Sequence, residues 1–279
     1  MATDTVDVEA LYVREGDRYQ PSILAQGPWD PTTQHGGAVC ALLAAASETV
    51  EPPSPMRPAR FTVDLLRPVP LACTTAKVDV VREGTNIQVL DVELSWGVKL
   101  VARGTVLRVA DDKVNDADDA KNAAAAGPPP PGHHSPDSHS LVEPELQGDW
   151  EPPGFVRAVE YRRVEGTRNS GVPATAWSRL VVPVLHDEVD SPFTKLAAIV
   201  DFTSGTANYM DFTTHTMPNA DVSAHLLRPL VGEWLGIKGA CMVERDGVAL
   251  SEASLWDERG RIGVASATLV VATREPGPA

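Results

Sequence analysis

Cysteine is scarce in this chain: Cys40, Cys73 and Cys241 are the only three in 279 residues. An odd, widely spaced set, each within an apolar stretch, excludes a disulfide framework or a thiolate zinc site and predicts reduced core thiols. Long apolar runs are also missing. None reaches the ~18 residues that a membrane-spanning helix needs, so no membrane partner is expected. Positive charge is short, with 24 Lys and Arg against 38 Asp and Glu and a net charge of −14. That argues against nucleic acid as a partner, which requires a basic face. It leaves room for a phosphate-bearing ligand, which a few arginines or helix N-termini can hold. The opening MATDTVDVEA has neither a basic start nor an apolar h-region, so a cytoplasmic location is expected. No G-x-S-x-G elbow, G-x-G-x-x-G, Walker loop or H-E-x-x-H occurs, which removes the usual signs of a serine hydrolase, a nucleotide site or a zinc protease. No cofactor and no metal are expected.

What is present is 43% hydrophobic residues, the composition of a folded chain. The pattern breaks once, over residues 111–150, which carry nine acids and two lysines and so half of the net charge. This stretch is acidic, then alanine-rich, then a proline run, and is expected to be a linker or loop with too little apolar surface to bury. Its HHSPDSH piece has metal-ligand residue types but no regular element to set their spacing. The flanks, 1–110 and 151–279, read as two repeats. Each has an apolar helical segment followed by strand-like runs broken by turn glycines: Gly84 and Gly97 in one, Gly247 and Gly260 in the other. Leu65-Leu66-Arg67-Pro68 recurs as Leu226-Leu227-Arg228-Pro229, and Trp96 has a counterpart in Trp256. The shared order implies an internal duplication. Phe61, Val63 and Leu65 alternate as in a half-buried strand. Ile87 and Val89 have one parity, and Leu90, Val92 and Leu94 the other, so a bulge or bend is expected near residue 89.

The first helix is expected over Gly37–Val50. Val39, Leu42, Leu43, Ala46 and Val50 form one stripe, and small residues fill the other side, with no charge before Glu48. Such a helix is buried. FTKLAAIVDF, residues 193–202, is expected to play the same part in the second half.

A buried helix wrapped by a curved antiparallel sheet, done twice, resembles the hotdog fold in its double form, an α+β architecture. WDPTTQHGGAVCALL, DLLRPVPL, LVARGTVLRV, AAIVDFTSG, NADVSAHLLRPLVGEW and RGRIGVASATLVV together resemble the acyl-CoA thioesterase II family and its actinobacterial branch. The resemblance implies an acyl-CoA or acyl-carrier thioester substrate, a role in lipid metabolism, and a homodimer or higher assembly. It implies that Asp201 is the acid that, with two partners, positions an attacking water. By the Leu-Leu-Arg-Pro anchor the family's Ser/Thr partner falls on Asn219. Its Gln partner falls near Ala267 or Thr268, in a strand without Gln, where Thr268 offers a hydroxyl.

Asp201 ends the apolar run LAAIV, where a carboxylate needs donors or water. It is either a general base or an N-cap for the segment TSGTANY. Gly36 and Gly37 open a helix whose free amides can stabilise charge developing on a thioester carbonyl, or else they serve tight packing. His35 is a candidate donor to the carbonyl or to the CoA side, or else a satisfied loop residue, and Trp29 shapes the same mouth. Asn219, Asp221, Ser223 and His225 share one parity and suggest either a polar cleft or a solvent face. His225 is a candidate partner for Asp201. Arg67 and Arg228 stand at equivalent places, either as phosphate forks or as structural ion pairs. Two other readings accompany the hydrolase: a non-hydrolytic cyclase- or dehydratase-like enzyme, and an acyl-CoA-binding protein without turnover.

Overall fold

The computed structural model describes residues 3–111, 119–128, 136, 152–166, 172–207 and 210–274. The first half contains β1 (Tyr12–Glu15), β2 (Arg18–Pro21), α1 (Gly36–Ser47), β3 (Met56–Asp64), β4 (Thr74–Glu83), β5 (Ile87–Trp96) and β6 (Lys99–Ala110). A short helix α2 (Asp119–Ala126) follows, then α3 (Gly154–Arg157), β7 (Val159–Glu165), β8 (Ala174–Leu180), α4 (Pro192–Val200) and α5 (Thr203–Thr206). The chain ends with β9 (His215–Thr216), β10 (Asp221–Leu226), β11 (Leu235–Val243), β12 (Val248–Asp257), β13 (Gly260–Val270) and β14 (Ala272–Thr273).

Twelve strands form one sheet in the order β1-β2-β4-β5-β6-β3-β10-β13-β12-β11-β8-β7. The first half runs β4-β5-β6-β3, and the second repeats that topology in mirror order as β10-β13-β12-β11. The halves meet where β3 pairs antiparallel with β10, Val63 opposite Val222. The far ends are also tied, by Leu11 N–H to Pro183 O at 3.0 Å and Tyr12 N–H to Val184 O at 2.9 Å. Sheet and tie enclose the two helices. β4, β5 and β6 cover α1, β8 and β11 cover α4, and the helices pack on each other.

The sequence of α1 explains its position. From Gly37 to Ala44 every residue is buried, as an uncharged helix of small residues requires. It stops at Ser47, short of the expected Val50, with Glu48 as C-cap. Buried Arg108 from β6 takes the last helical carbonyl, Ser47 O at 2.8 Å, and Val50 O beyond the helix at 2.7 Å. This satisfies acceptors that the last helical turn leaves open. The second helix is shorter than the expected run, nine residues from Pro192 with Ser191 as N-cap. It breaks because the Thr203 hydroxyl bonds Val200 O and the Phe202 amide turns back to Ile199 O at 2.9 Å.

Two expectations on the strands change. β5 keeps a single parity, with Gln88, Leu90, Val92 and Leu94 inward. Ile87 and Val89 are on the outer face, and the irregularity lies in β4, between Val80 and Arg82, across from them. Buried Gln88 hid that parity; its Oε1 accepts from Arg108 Nη1 at 3.1 Å. Cys40 and Cys241 are buried, whereas Cys73 is half-exposed beside Arg18. Within the expected linker, α2 is helical and Arg261 donates to Ala126 O at 3.3 Å. The HHSPDSH piece lies outside the described residues except for Pro136. Among the described residues, no helix is long and apolar enough to cross a membrane.

Candidate active site

The two helices run antiparallel, so the start of α1 meets the end of α4. Two glycines allow this. A Cβ on Gly37 would lie 2.5 Å from Ala198 O and 2.7 Å from the Phe155 ring. A Cβ on Gly36 would lie 2.6 Å from Asp201 Oδ1 and 2.9 Å from Oδ2. Thus Gly37 serves helix packing, and Gly36 admits a carboxylate against the amide end of α1, where the helix dipole favours negative charge.

Asp201 is the C-cap of α4 and is only 6% exposed. The N-cap of α5 is Phe202, without a side-chain cap bond, so Asp201 does not cap that segment. Its donors come from elsewhere. Asn219, just before β10, donates Nδ2–H to Asp201 Oδ1 at 2.6 Å and to Asp201 O at 3.0 Å. Ser204 donates to Asn219 Oδ1 at 3.0 Å and so fixes which way that amide points. These bonds offset the cost of holding a carboxylate away from water. Burial, and then the nearby Asp201 charge, pushes the Cys40 thiol well above its usual range and keeps it protonated.

His35 is the N-cap of α1, and its Nδ1 accepts the Gly37 N–H at 2.9 Å. The same Nδ1 lies 3.2 Å from Asp201 Oδ2. The ring is 11% exposed and packs on Phe155 and Phe202, at centroid distances of 4.4 and 5.3 Å. The loop before it is braced by an Asx turn, in which Asp30 Oδ1 accepts the Thr32 amide and hydroxyl at 2.7 Å each. The Thr32 amide, then its hydroxyl, holds the Asp30 carboxyl below the usual range.

These groups open on one cavity of about 1170 Å³. Its walls include His35, Gly36, Asp201, Ser204 and Asn219 on the polar side, and Val39, Leu65, Val69, Met217 and Leu269 on the apolar side. Trp29 and Phe212 meet edge-to-face at 5.4 Å in its wall, with Arg274 stacked over Trp29 at 5.7 Å. A chamber of this volume with few convergent polar groups suits a small-molecule substrate with a long apolar part.

The structure brings Trp29, His35, Gly36, Asp201 and Asn219 to this cavity and leaves three candidates out: Gly37, which is buried against α4 and Phe155, Thr268 and His225. Thr268 is exposed on the outer face of β13, and its amide donates to Asp221 Oδ1 at 2.9 Å. His225 is exposed on the outer face of β10, beside Lys238, Glu252 and Arg261. Asp221, Ser223 and His225 follow β10 outward, whereas Asn219 precedes the ladder and turns inward. Arg228 forks onto fully buried Asp257, with Nη2 to Oδ1 at 2.6 Å and Nη1 to Oδ2. Arg67 has no such acid among the described residues, since Gly97 stands in the place of Asp257, and its exposed side chain lines the cavity.

Ser204 and Gln34 also line the cavity and carried no role in the sequence. Gln34 is locked, accepting from the Tyr12 hydroxyl at 2.6 Å and donating to Pro70 O at 2.8 Å. At the opposite end of the helix pair, Glu48 is the C-cap of α1, as Asp201 is of α4. Its Oε2 accepts from both Ser191 and Thr194 at 2.8 Å. An acid at each helix end was the signal available for this correspondence.

Two family models match the sequence, the acyl-CoA thioesterase N-terminal domain over residues 25–109 and the acyl-CoA thioesterase C-terminal domain over residues 129–271. The chain belongs to the acyl-CoA thioesterase family. Thioester hydrolysis is the activity those domains support, and a thioester is the substrate class they imply. No curated protein gives a significant match to this family member. Among solved structures, it is similar to a hot dog fold protein from Alicyclobacillus acidocaldarius, with TM-score 0.70, 14% identity and 97% of each chain covered. It is similar to the tesB protein of Mycobacterium avium subs paratuberculosis, with TM-score 0.65, 15% identity and 95% and 96% covered. It is also similar to the acyl-CoA thioesterase II TesB2 of Mycobacterium marinum, with TM-score 0.62, 16% identity and 97% and 98% covered. At such identities these likenesses establish the hotdog fold of this family member.

Proposed function

We propose that this protein hydrolyses acyl thioesters with Asp201 as the base that activates water. The observation that carries the reading is the buried Asp201 carboxylate, fixed by Asn219 and laid against the amide end of α1 within the cavity. Water attacks the thioester carbonyl carbon while Asp201 takes its proton. The Gly36 amide, which makes no hydrogen bond among the described residues, faces the charge that develops on oxygen. The C–S bond then breaks, and the departing sulfur recovers the proton from Asp201. Asn219 acts by holding the carboxylate, and Ser204 by holding Asn219. Thr268 and His225 have no part in this scheme.

The fold is read as a double hotdog, with repeats 1–110 and 151–279 joined by 111–150. The acyl tail lies in the apolar part of the cavity, and the thiol carrier, CoA or an acyl-carrier group, leaves by its mouth. The protein acts in the cytoplasm, in lipid metabolism, as a homodimer or larger assembly. The test is thiol release from a panel of acyl-CoA chains by wild type and Asp201→Ala. The variant is expected to lose about 10²–10⁴-fold in kcat, the usual share of a general base. Release untouched by the substitution refutes the assigned base. Tight binding without release from any chain indicates a binding protein, and a rearranged acyl product indicates a cyclase- or dehydratase-like enzyme.

A further inference from the structure

We propose that His35 is held as the Nε2-protonated tautomer and presents that hydrogen to the carbonyl oxygen of the bound thioester, making it a catalytic residue. The proposal rests on the hydrolase reading for its chemistry, and on two contacts at one nitrogen for its geometry. His35 Nδ1 accepts the Gly37 N–H at 2.9 Å, so its lone pair is in use. A neutral imidazole whose Nδ1 is an acceptor carries its proton on Nε2. That nitrogen has no hydrogen-bond partner among the described residues, and the ring lines the cavity. Packing on Phe155 and Phe202 and the N-cap bond resist reorientation of the ring. The site therefore holds an oriented donor with nothing in the protein to donate to.

The second contact says when this donor matters. Asp201 Oδ2 lies 3.2 Å from the same Nδ1. With Asp201 ionised, two lone-pair-bearing atoms face each other there, an unfavourable pair. Once Asp201 Oδ2 takes the proton of the attacking water, its charge is gone and the repulsion at Nδ1 is relieved, while the Gly37 N–H keeps the lone pair. At that moment the carbonyl π electrons have moved onto oxygen, which accepts from Nε2–H. When the C–S bond breaks, the sulfur takes the proton from Asp201, and His35 ends as it began. The Nε2–H bond is stronger and the Nδ1 contact less repulsive during the reaction than before it, the condition for raising kcat rather than lowering KM. His35 thus joins Asp201 and Asn219 at the site from the opposite half of the chain, facing the carbonyl oxygen.

Three measurements test this. Nitrogen-15 NMR of histidine-labelled protein, with the His35 signal assigned by its loss in His35→Asn, is expected to show protonated Nε2 and bare Nδ1. Asparagine keeps an N-cap for Gly37, so the fold is retained. Its kcat on acyl-CoA is expected to fall about 10²–10³-fold, the loss typical of one oxyanion donor, with KM nearly unchanged. Carbonyl-¹³C acyl-CoA bound to Asp201→Ala is expected to show a downfield carbonyl shift that vanishes in the His35→Asn, Asp201→Ala double variant. An Nδ1-protonated ring, an unmoved carbonyl signal in the double variant, or near-wild-type kcat in His35→Asn overturns the proposal. Wild type that releases no thiol while the ring state and carbonyl shift hold as expected overturns the hydrolase reading and leaves the donor in place.

Discussion

Replacing Arg228 by alanine is expected to destabilise the protein far more than replacing its repeat counterpart Arg67. Asp257 is 0% exposed, and Arg228 supplies two of its hydrogen bonds, one at 2.6 Å, while also donating to Gly260 O at 3.1 Å. What remains after the substitution is the Val231 amide and the Arg259 amide, each at 2.9 Å from the carboxylate. Breaking a buried ion pair on one side typically costs about 3–5 kcal/mol. The two remaining amides, and an Arg228 side chain 30% exposed, favour the lower end, near ~3 kcal/mol. At about 2–4 °C per kcal/mol, Tm falls by roughly 6–12 °C. Arg67 has no acid partner among the described residues, and its truncation is expected to cost no more than about 0.5 kcal/mol. Burial raises the Asp257 carboxyl, and Arg228 with the two amides more than reverses this, leaving it below the usual range. A depressed carboxyl lends stability above its unfolded value that is lost as pH falls through the folded one. The gap between wild type and Arg228→Ala therefore narrows as pH drops below about 4. Thermal melts of both variants from pH 3 to pH 8 provide the assay. Equal Tm shifts for the two arginine variants, or a gap that widens in acid, refute the reasoning.

Gly36→Ala and Gly37→Ala are expected to separate chemistry from packing. The first pushes a methyl into the Asp201 carboxylate and lowers kcat with a smaller effect on Tm. The second collides with Ala198 O and Phe155 and costs about 1–3 kcal/mol in stability. Kinetics and melts on the same samples check both, and a Gly36→Ala enzyme of full activity counts against the placement of Asp201. Asp190 has its carboxyl raised to about 6, chiefly by burial, against the two bonds from the Val184 amide at 3.1 Å. A raised acid makes the fold lose stability as pH rises from about 4 to 6. Asp190→Asn is therefore expected to melt higher than wild type at pH 7, and the advantage should shrink by pH 4.

The main architecture was legible because the pattern was strong. A helix with no charge for eleven residues declared its burial, and Leu-Leu-Arg-Pro, repeated before equally spaced turn glycines, gave the repeated topology. The same anchor led to Asn219, which the structure hydrogen-bonds to Asp201. Strand parity was the weak point. Apolar residues occupy both faces of β13, where Ala265, Ala267 and Leu269 go inward and Val264 and Val270 outward, so alternation did not reveal that Thr268 faces solvent. Asn219 shares its parity with His225, but it pairs with Leu269 in an isolated bridge one residue out of register with the β10–β13 ladder, where Ser223 faces Ser266. Ser204 was visible only as a neighbour of Asp201 on a helix that in fact breaks between them. The contact of His35 with Asp201 joins residues far apart in sequence and follows only from the antiparallel helix packing.

That packing gives the molecule two ends with the same parts and different fates. At one, an acid meets a glycine start and stays open to a cavity; at the other, Glu48 is bound by the hydroxyls of Ser191 and Thr194. Two identical halves would have to use one surface for both purposes. With both halves on a single chain, each end is encoded by its own residues. On the proposed mechanism one end is open for chemistry, and the other is a clasp. Loss of the Glu48 carboxylate should therefore be felt in melting, and loss of the Asp201 carboxylate in turnover.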